Sequence, residues 1–228
     1  TAGIYEDFDF FTSDQRIGKD VGDLFNDLTG YSSKNLYREL IVAPYQMREK
    51  LVALIEGQAF NGGHIVMKCN NLIDHSILDA LLNASEMGAR VELIVRGSCG
   101  FLPAHIANNK NINVRSVIGR FLEHSRVYRF GIGDDATLLI GSADLMKRNL
   151  DHRVEVLIPM RAEHTRRYIN EALGELLDDK NDHWLMTETG WKHYRSELTV
   201  HNELLHIADY RADEERLDNR DISRNIPD

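Results

Sequence analysis

The chain has 228 residues, with 27 Lys and Arg against 36 Asp and Glu and a formal net charge of −9. At 43% hydrophobic and 28% charged residues it can build a buried core, which excludes a disordered chain, and its acidic balance argues against a nucleic-acid partner, because phosphate contacts need basic surface. No apolar run approaches the roughly 18 residues of a transmembrane helix, and Cys69 and Cys99 lack any CxxC spacing, so the expectation is a reducing, cytoplasmic setting that still permits peripheral membrane association.

The chain starts Thr1-Ala2-Gly3, without an initiator Met or a signal peptide, and reads as a piece of a longer polypeptide. Residues 1–30 form a leading segment and a helix. Ile17, Val21, Leu24, Phe25 and Leu28 fall at helical spacing over 14–29, and Gly30 stops the run. Residues 31–180 form the main lobe. Leu40–Ala43 reads as a strand closed by Pro44, 45–59 as a helix and Ile65–Met67 as a second strand. Asp74 caps a helix through Met87, and Val91–Val95 is a third strand. This β-α-β-α-β order predicts a parallel sheet.

After Arg96 the pattern changes. Val114–Ile118, Val127–Phe130, Thr137–Ile140 and Val154–Ile158 read as strands, and 161–179 as a helix. Residues 181–228 form a polar C-terminal tail with a helix over 198–216 and a frayed end over 217–228. The fold class is α/β, a mixed, largely parallel sheet flanked by helices, plus that helical tail.

Charge is uneven along the chain. From Arg96 to Arg153 there are nine bases and five acids, so this window carries +4 and the remainder −13. A basic middle in an acidic chain suggests a focused anion site, as does an alternating solvated face, which composition alone favours. Open α/β sheets bind ligands at the carboxyl ends of parallel strands. Asn70-Asn71 follows the second strand and Arg96-Gly97 the third, where the basic window begins.

One stretch carries chemistry. His124-x-Arg126 puts an imidazole and a guanidinium on one side of an extended chain, with Gly141-Ser142 and Asn149 further on. A His, a phosphate-binding base, Gly-Ser and Asn in this order is the layout of phospholipase D-type sites, with Arg in place of Lys as a bidentate phosphate ligand. Alone, that pattern is degenerate. His193, His201 and His206 lack cysteine or acidic residues at zinc-ligand spacing, so no metal site is assigned. Asp144 reads as ordering a loop.

Longer blocks are more specific: Tyr5-Glu6-Asp7, Phe11-Thr12-Ser13-Asp14, Asn70–Asp74, Val95–Cys99, Phe121–Arg126, Ser142–Asp151 and Arg153-Val154-Glu155. Together they resemble, over roughly residues 4–180, the C-terminal lobe of polyphosphate kinase. That family stores the terminal phosphate of ATP as inorganic polyphosphate and is built on phospholipase D-like lobes.

The resemblance implies a role for each matching position. Tyr5 contacts the nucleotide, Arg96 and Arg153 bind phosphates, and His124 binds there too and gives or takes a proton as the catalytic residue. Asp7, Arg126 and Asn149 are their neighbours. ATP/ADP and polyphosphate are the implied ligands, with Mg²⁺ bound mainly through another lobe and the phosphates, and a homo-oligomer, dimer or tetramer, is implied as well. The histidine that becomes phosphorylated belongs to a preceding lobe, and Leu145 stands where the family commonly has Trp. The piece alone is therefore expected to be inactive. Two alternatives remain at this point: a phospholipase D-type phosphodiesterase or nuclease acting as a dimer, and a non-catalytic phosphate-binding or assembly module.

Overall fold

The computed structural model of the chain describes residues 3–31 and 36–209. Among the described residues eleven strands and six helices follow in order: β1 (Tyr5–Glu6), α1 (Gln15–Leu28), β2 (Ile41–Ala43), α2 (Met47–Glu56), β3 (His64–Cys69), α3 (His75–Glu86), β4 (Arg90–Val95), α4 (Pro103–Asn108), β5 (Ile112–Ser116), β6 (Leu122–Glu123), β7 (Arg126–Phe130), β8 (Thr137–Gly141), β9 (Glu155–Pro159), α5 (Glu163–Leu177), β10 (His183–Thr187), β11 (Gly190–Tyr194) and α6 (200–209). A π-helical turn, Arg148–His152, lies between β8 and β9. The helix expected over 198–216 is helical in its described part. Residues 210–228, including the end expected to fray, lie outside the described residues.

Nine strands make one mixed sheet in the order β11-β10-β5-β4-β3-β7-β8-β9-β2. Parallel pairing is confined to β3-β4-β5, and every other neighbouring pair is antiparallel. The β-α-β-α-β reading therefore needs one correction. β2 does not sit beside β3; it crosses to the far edge and pairs antiparallel with β9, Ile41 opposite Leu157. It points the same way as β3 but is separated from it by three strands. Residues 183–194, read as part of a polar tail, form a hairpin that extends the sheet beyond β5.

The sheet carries helices on both faces, as period-two alternation along each strand requires. On one face Ile65, Met67, Val91, Leu93 and Val95 pack with Leu51 and Ile55 of α2 and Ile77 and Leu81 of α3. On the other, Val66, Ile94, Val127 and Ile140 pack with Ile169, Leu173 and Leu176 of α5 and Val200 of α6. Each such fully buried aliphatic side chain contributes about 1.5–3 kcal/mol.

Helix ends follow their sequence signals. Asp14 caps α1 by accepting from the Arg16 amide at 2.8 Å, and Asp74 caps α3 by accepting from the Ile77 amide at 3.3 Å. In α1 only Ile17, Asp20 and Leu24 are buried, while Phe25 and Leu28 stay exposed. Asp20 takes a place on the inner face because it accepts from the Glu39 and Leu40 amides, at 2.7 and 3.0 Å.

Strands β1 and β6 stand apart as a two-stranded parallel pair, Tyr5 opposite Leu122 and Glu6 opposite Glu123. This small ribbon positions the site.

Candidate active site

The carboxyl ends of β3 and β4 lie in register, Cys69 beside Val95, so Asn70 and Arg96 come next on adjacent strands. β8 runs the same way and ends at Gly141, paired with Arg126 at the start of β7. Strand order thus gathers Asn70, Arg96, Arg126 and Ser142 at one end of the sheet. Gly141 has no room for a side chain, since a Cβ would stand 1.9 Å from the Val156 carbonyl oxygen.

His124 sits between these strand ends and the β1–β6 ribbon. Its amide donates to the Glu6 carbonyl at 3.1 Å, which ties it to β1. Its Nδ1 lies 2.6 Å from Asp7 Oδ2, and its Nε2 lies 3.1 Å from an Arg126 guanidinium nitrogen. Arg126 donates only, so Nε2 is the accepting nitrogen and Nδ1–H donates to Asp7. Tyr5 packs edge-on against the imidazole, with ring centroids 4.9 Å apart. The His124 side chain remains 33% exposed, enough for a ligand to reach it.

Asn70 joins the next pair. Its Oδ1 accepts from Arg96 Nε at 2.7 Å, and its Nδ2 donates to the His124 carbonyl at 3.4 Å. Asp144 braces the same corner. It accepts from the Asn70 amide at 2.8 Å, from Asn71 Nδ2 at 3.1 Å and from Arg126 Nε at 3.3 Å. Burial pushes the Asp144 carboxyl up, but the Arg126 charge and the two asparagine hydrogen bonds outweigh it and hold it below the usual carboxylate range. Asp144 therefore orders the loop, as its sequence context suggested. Leu145 is fully buried, and its carbonyl accepts from the amides of Ile73 and Asp74, both at 2.9 Å, so it packs and pins this loop.

Tyr5, Asp7, Arg96, His124 and Arg126 thus form one contact chain. Arg153 and Asn149 belong to an adjoining cluster centred on buried Glu155. Asn149 Nδ2 donates to Glu155 at 2.6 Å, the Ser142 hydroxyl donates to the other carboxylate oxygen, and Arg153 lies 3.8 Å away, half exposed. The two clusters meet at a cavity of about 340 Å³ lined by Asp7, His124, Arg126, Gly141 and Ser142. A second cavity, of about 450 Å³, is lined by Arg96, Arg120, Phe121 and Glu123.

Beneath the ribbon lies a group that the sequence did not bring together: Lys68, Glu6, Glu123, Ser125 and His201. Lys68 is 2% exposed and follows the apolar run Ile65-Val66-Met67 within β3, a local signal in the sequence. His201 is buried against Glu123, and His193 pairs with Asp182 at 2.9 Å and stacks on Trp184. Among the described residues no group of three or more His, Cys, Asp or Glu is arranged to hold a metal ion. No described helix is long and apolar enough to cross a membrane.

The arrangement offers arginines for anionic oxygens and an oriented imidazole between them. The family model described as polyphosphate kinase C-terminal domain 2 matches residues 40–204. The polyphosphate kinase of Prosthecochloris aestuarii is 45% identical over 83% of this chain and 27% of its own length. That of Streptomyces coelicolor is 41% identical over 83% of this chain and 26% of its own. The crystal structure of polyphosphate kinase from Porphyromonas gingivalis superposes with a TM-score of 0.81 at 28% identity, over 89% of this chain and 33% of that one. The chain thus spans about a quarter of the length of the curated relatives it matches. On the family match and these identities, the chain belongs to the polyphosphate kinase family, within its C-terminal region.

Proposed function

We propose that the chain is the lobe of an ATP:polyphosphate phosphotransferase that holds the phosphates of ATP and polyphosphate. In this reading a phosphoryl group passes from ATP to a histidine on another lobe, and from there to the end of a polyphosphate chain. Cytoplasmic location and homo-oligomeric assembly belong to the same proposal.

Phosphoryl transfer depends on positioning and on charge stabilisation. Arg126 supplies a guanidinium fork in the lining of the 340 Å³ cavity, Arg96 supplies one in the 450 Å³ cavity, and Arg153, half exposed beside Glu155, supplies a third. His124 handles the proton. Asp7 fixes the Nδ1–H tautomer and would stabilise the imidazolium, which leaves Nε2 as the working nitrogen. Arg126 covers Nε2 at 3.1 Å. A phosphate oxygen competes for that guanidinium and uncovers the nitrogen. Nε2 can then take the proton of an attacking phosphate or return it to departing ADP. Tyr5, edge-on to His124, offers its ring to the nucleotide.

The observation that carries this reading is the single contact chain from Asp7 through His124 and Arg126, and through Asn70 to Arg96. Titration of the full-length protein with ATP and with polyphosphate tests it. R96A and R153A are each expected to weaken binding of a phosphate ligand at least tenfold, with the fold intact. Undiminished binding of both ligands in both variants would remove the phosphate-clamp role.

A further inference from the structure

The β1–β6 ribbon is too short to hold itself. Two residues per strand give little pairing, yet Tyr5 and Asp7 must stay within contact of His124. What fixes the ribbon is a buried polar cluster below it. Lys68 Nζ lies 2.9 Å from Glu6 of β1 and 2.8 Å from Glu123 of β6, and it donates to the Ser125 carbonyl and hydroxyl at 3.1 and 2.6 Å. One ammonium thus grips both strands and the residue after His124.

Glu123 is held from the other side by α6. Its Oε1 lies 2.7 Å from His201 Nε2, and the amide of Phe121 donates to His201 Nδ1 at 3.2 Å. Because Nδ1 accepts, the ring is neutral with its proton on Nε2, donated to Glu123. The fit is close. A Cβ on Gly119 would stand 2.6 Å from His201 Nδ1, so the glycine lets the ring approach the backbone. The 2% exposure of both Lys68 and His201 isolates the cluster from water and salt, which strengthens it and makes it stiff. Burial pushes the Glu123 carboxyl up, but the His201 hydrogen bond and the Lys68 charge overcome it and hold it at about 2.

We propose that Lys68 and His201 are positioning residues: they lock the β1–β6 ribbon so that Asp7 and Tyr5 hold His124 in its working orientation. The proposal rests on the reading of His124 given above. It makes α6, an element far along the chain, part of the transfer machinery without touching substrate. Losing His201 lets the ribbon shift, and the Asp7–His124 bond loosens with it. Losing Lys68 leaves two buried carboxylates facing each other, a harsher change.

The test uses the full-length protein and steady-state polyphosphate synthesis from ATP, with melting curves to confirm folding. H201A is expected to lower kcat at least tenfold in folded protein. H201Q, whose amide can still donate to Glu123, is expected to recover most of that loss. H201A and D7N together are expected to cost little more than the worse of the two alone, since both act on one bond. A purely structural role would lower the melting temperature, leave kcat of the folded protein unchanged and give additive losses. H124A is measured alongside. If H124A abolishes synthesis while folded H201A keeps wild-type kcat, the positioning role is wrong and the His124 reading stands. If H124A keeps wild-type synthesis, both fall. Should H201A not fold, E123Q is judged by the same kcat and double-variant criteria.

Discussion

His124 Nδ1 lies 2.6 Å from Asp7 Oδ2, although 117 positions separate the two residues. The bond sets the imidazole's tautomer and gives its positive form a partner. D7N keeps the shape and removes the charge. The expected result is a fall in kcat of about 10²-fold or more, with KM for ATP changed much less. Steady-state kinetics of the full-length protein measures it, and an unchanged kcat would leave the Asp7 bond without a catalytic part.

Asn70 links Arg96 to the His124 carbonyl, accepting at 2.7 Å from the guanidinium and donating at 3.4 Å to the backbone. N70A frees Arg96 to swing. A hydrogen bond to a charged group contributes about 1.5–3 kcal/mol, so KM for ATP is expected to rise about tenfold. N70D, which keeps the acceptor oxygen, is expected to retain most of the affinity.

Gly119 faces the ring of His201 with no space for a methyl group. G119A is expected to destabilise the protein by about 1–3 kcal/mol, the usual cost of overpacking a fitted interior. Chemical denaturation reads it directly, and a stability equal to wild type would mean that α6 moves aside freely.

Glu123, held between Lys68 and His201, has its carboxyl lowered from 4.5 to about 2. A carboxyl depressed in the folded state contributes stability that is fully present above the unfolded value. That contribution is lost as pH falls through the folded one. Stability should therefore decline between about pH 4.5 and pH 2, and E123Q should flatten that decline while lowering stability at neutral pH. Melting temperatures across this range, wild type against E123Q, check the sign.

Local sequence made much of this legible. Helical spacing with the Gly30 stop placed α1, helical spacing with the cap at Asp74 placed α3, and apolar runs placed β3 and β4. Because β3 and β4 pair in parallel, their carboxyl ends located Asn70 and Arg96. His124-x-Arg126 was readable because both residues lie in one short extended stretch. Strand neighbours were not readable. β2 pairs with β9 across the sheet, and no local pattern encodes which edge a strand will join. The buried cluster was hidden for a similar reason. Glu6, Lys68, Glu123 and His201 come from four distant segments, and each by itself resembles an ordinary polar residue. Only Lys68 gave a local sign, as a charge inside the run Ile65–Cys69. In α1, five apolar residues fall at helical spacing, but only Ile17 and Leu24 are buried, beside Asp20, which is bonded to the backbone of residues 39 and 40.

The central claim is that the His124 imidazole handles the proton in phosphoryl transfer while the arginines hold the phosphates. The most direct measurement is polyphosphate synthesis from ATP by full-length H124A, with ATP affinity measured by calorimetry on the same preparation. The expected result is at least a hundredfold loss of kcat with ATP affinity within a few-fold of wild type. Wild-type synthesis by H124A would contradict it.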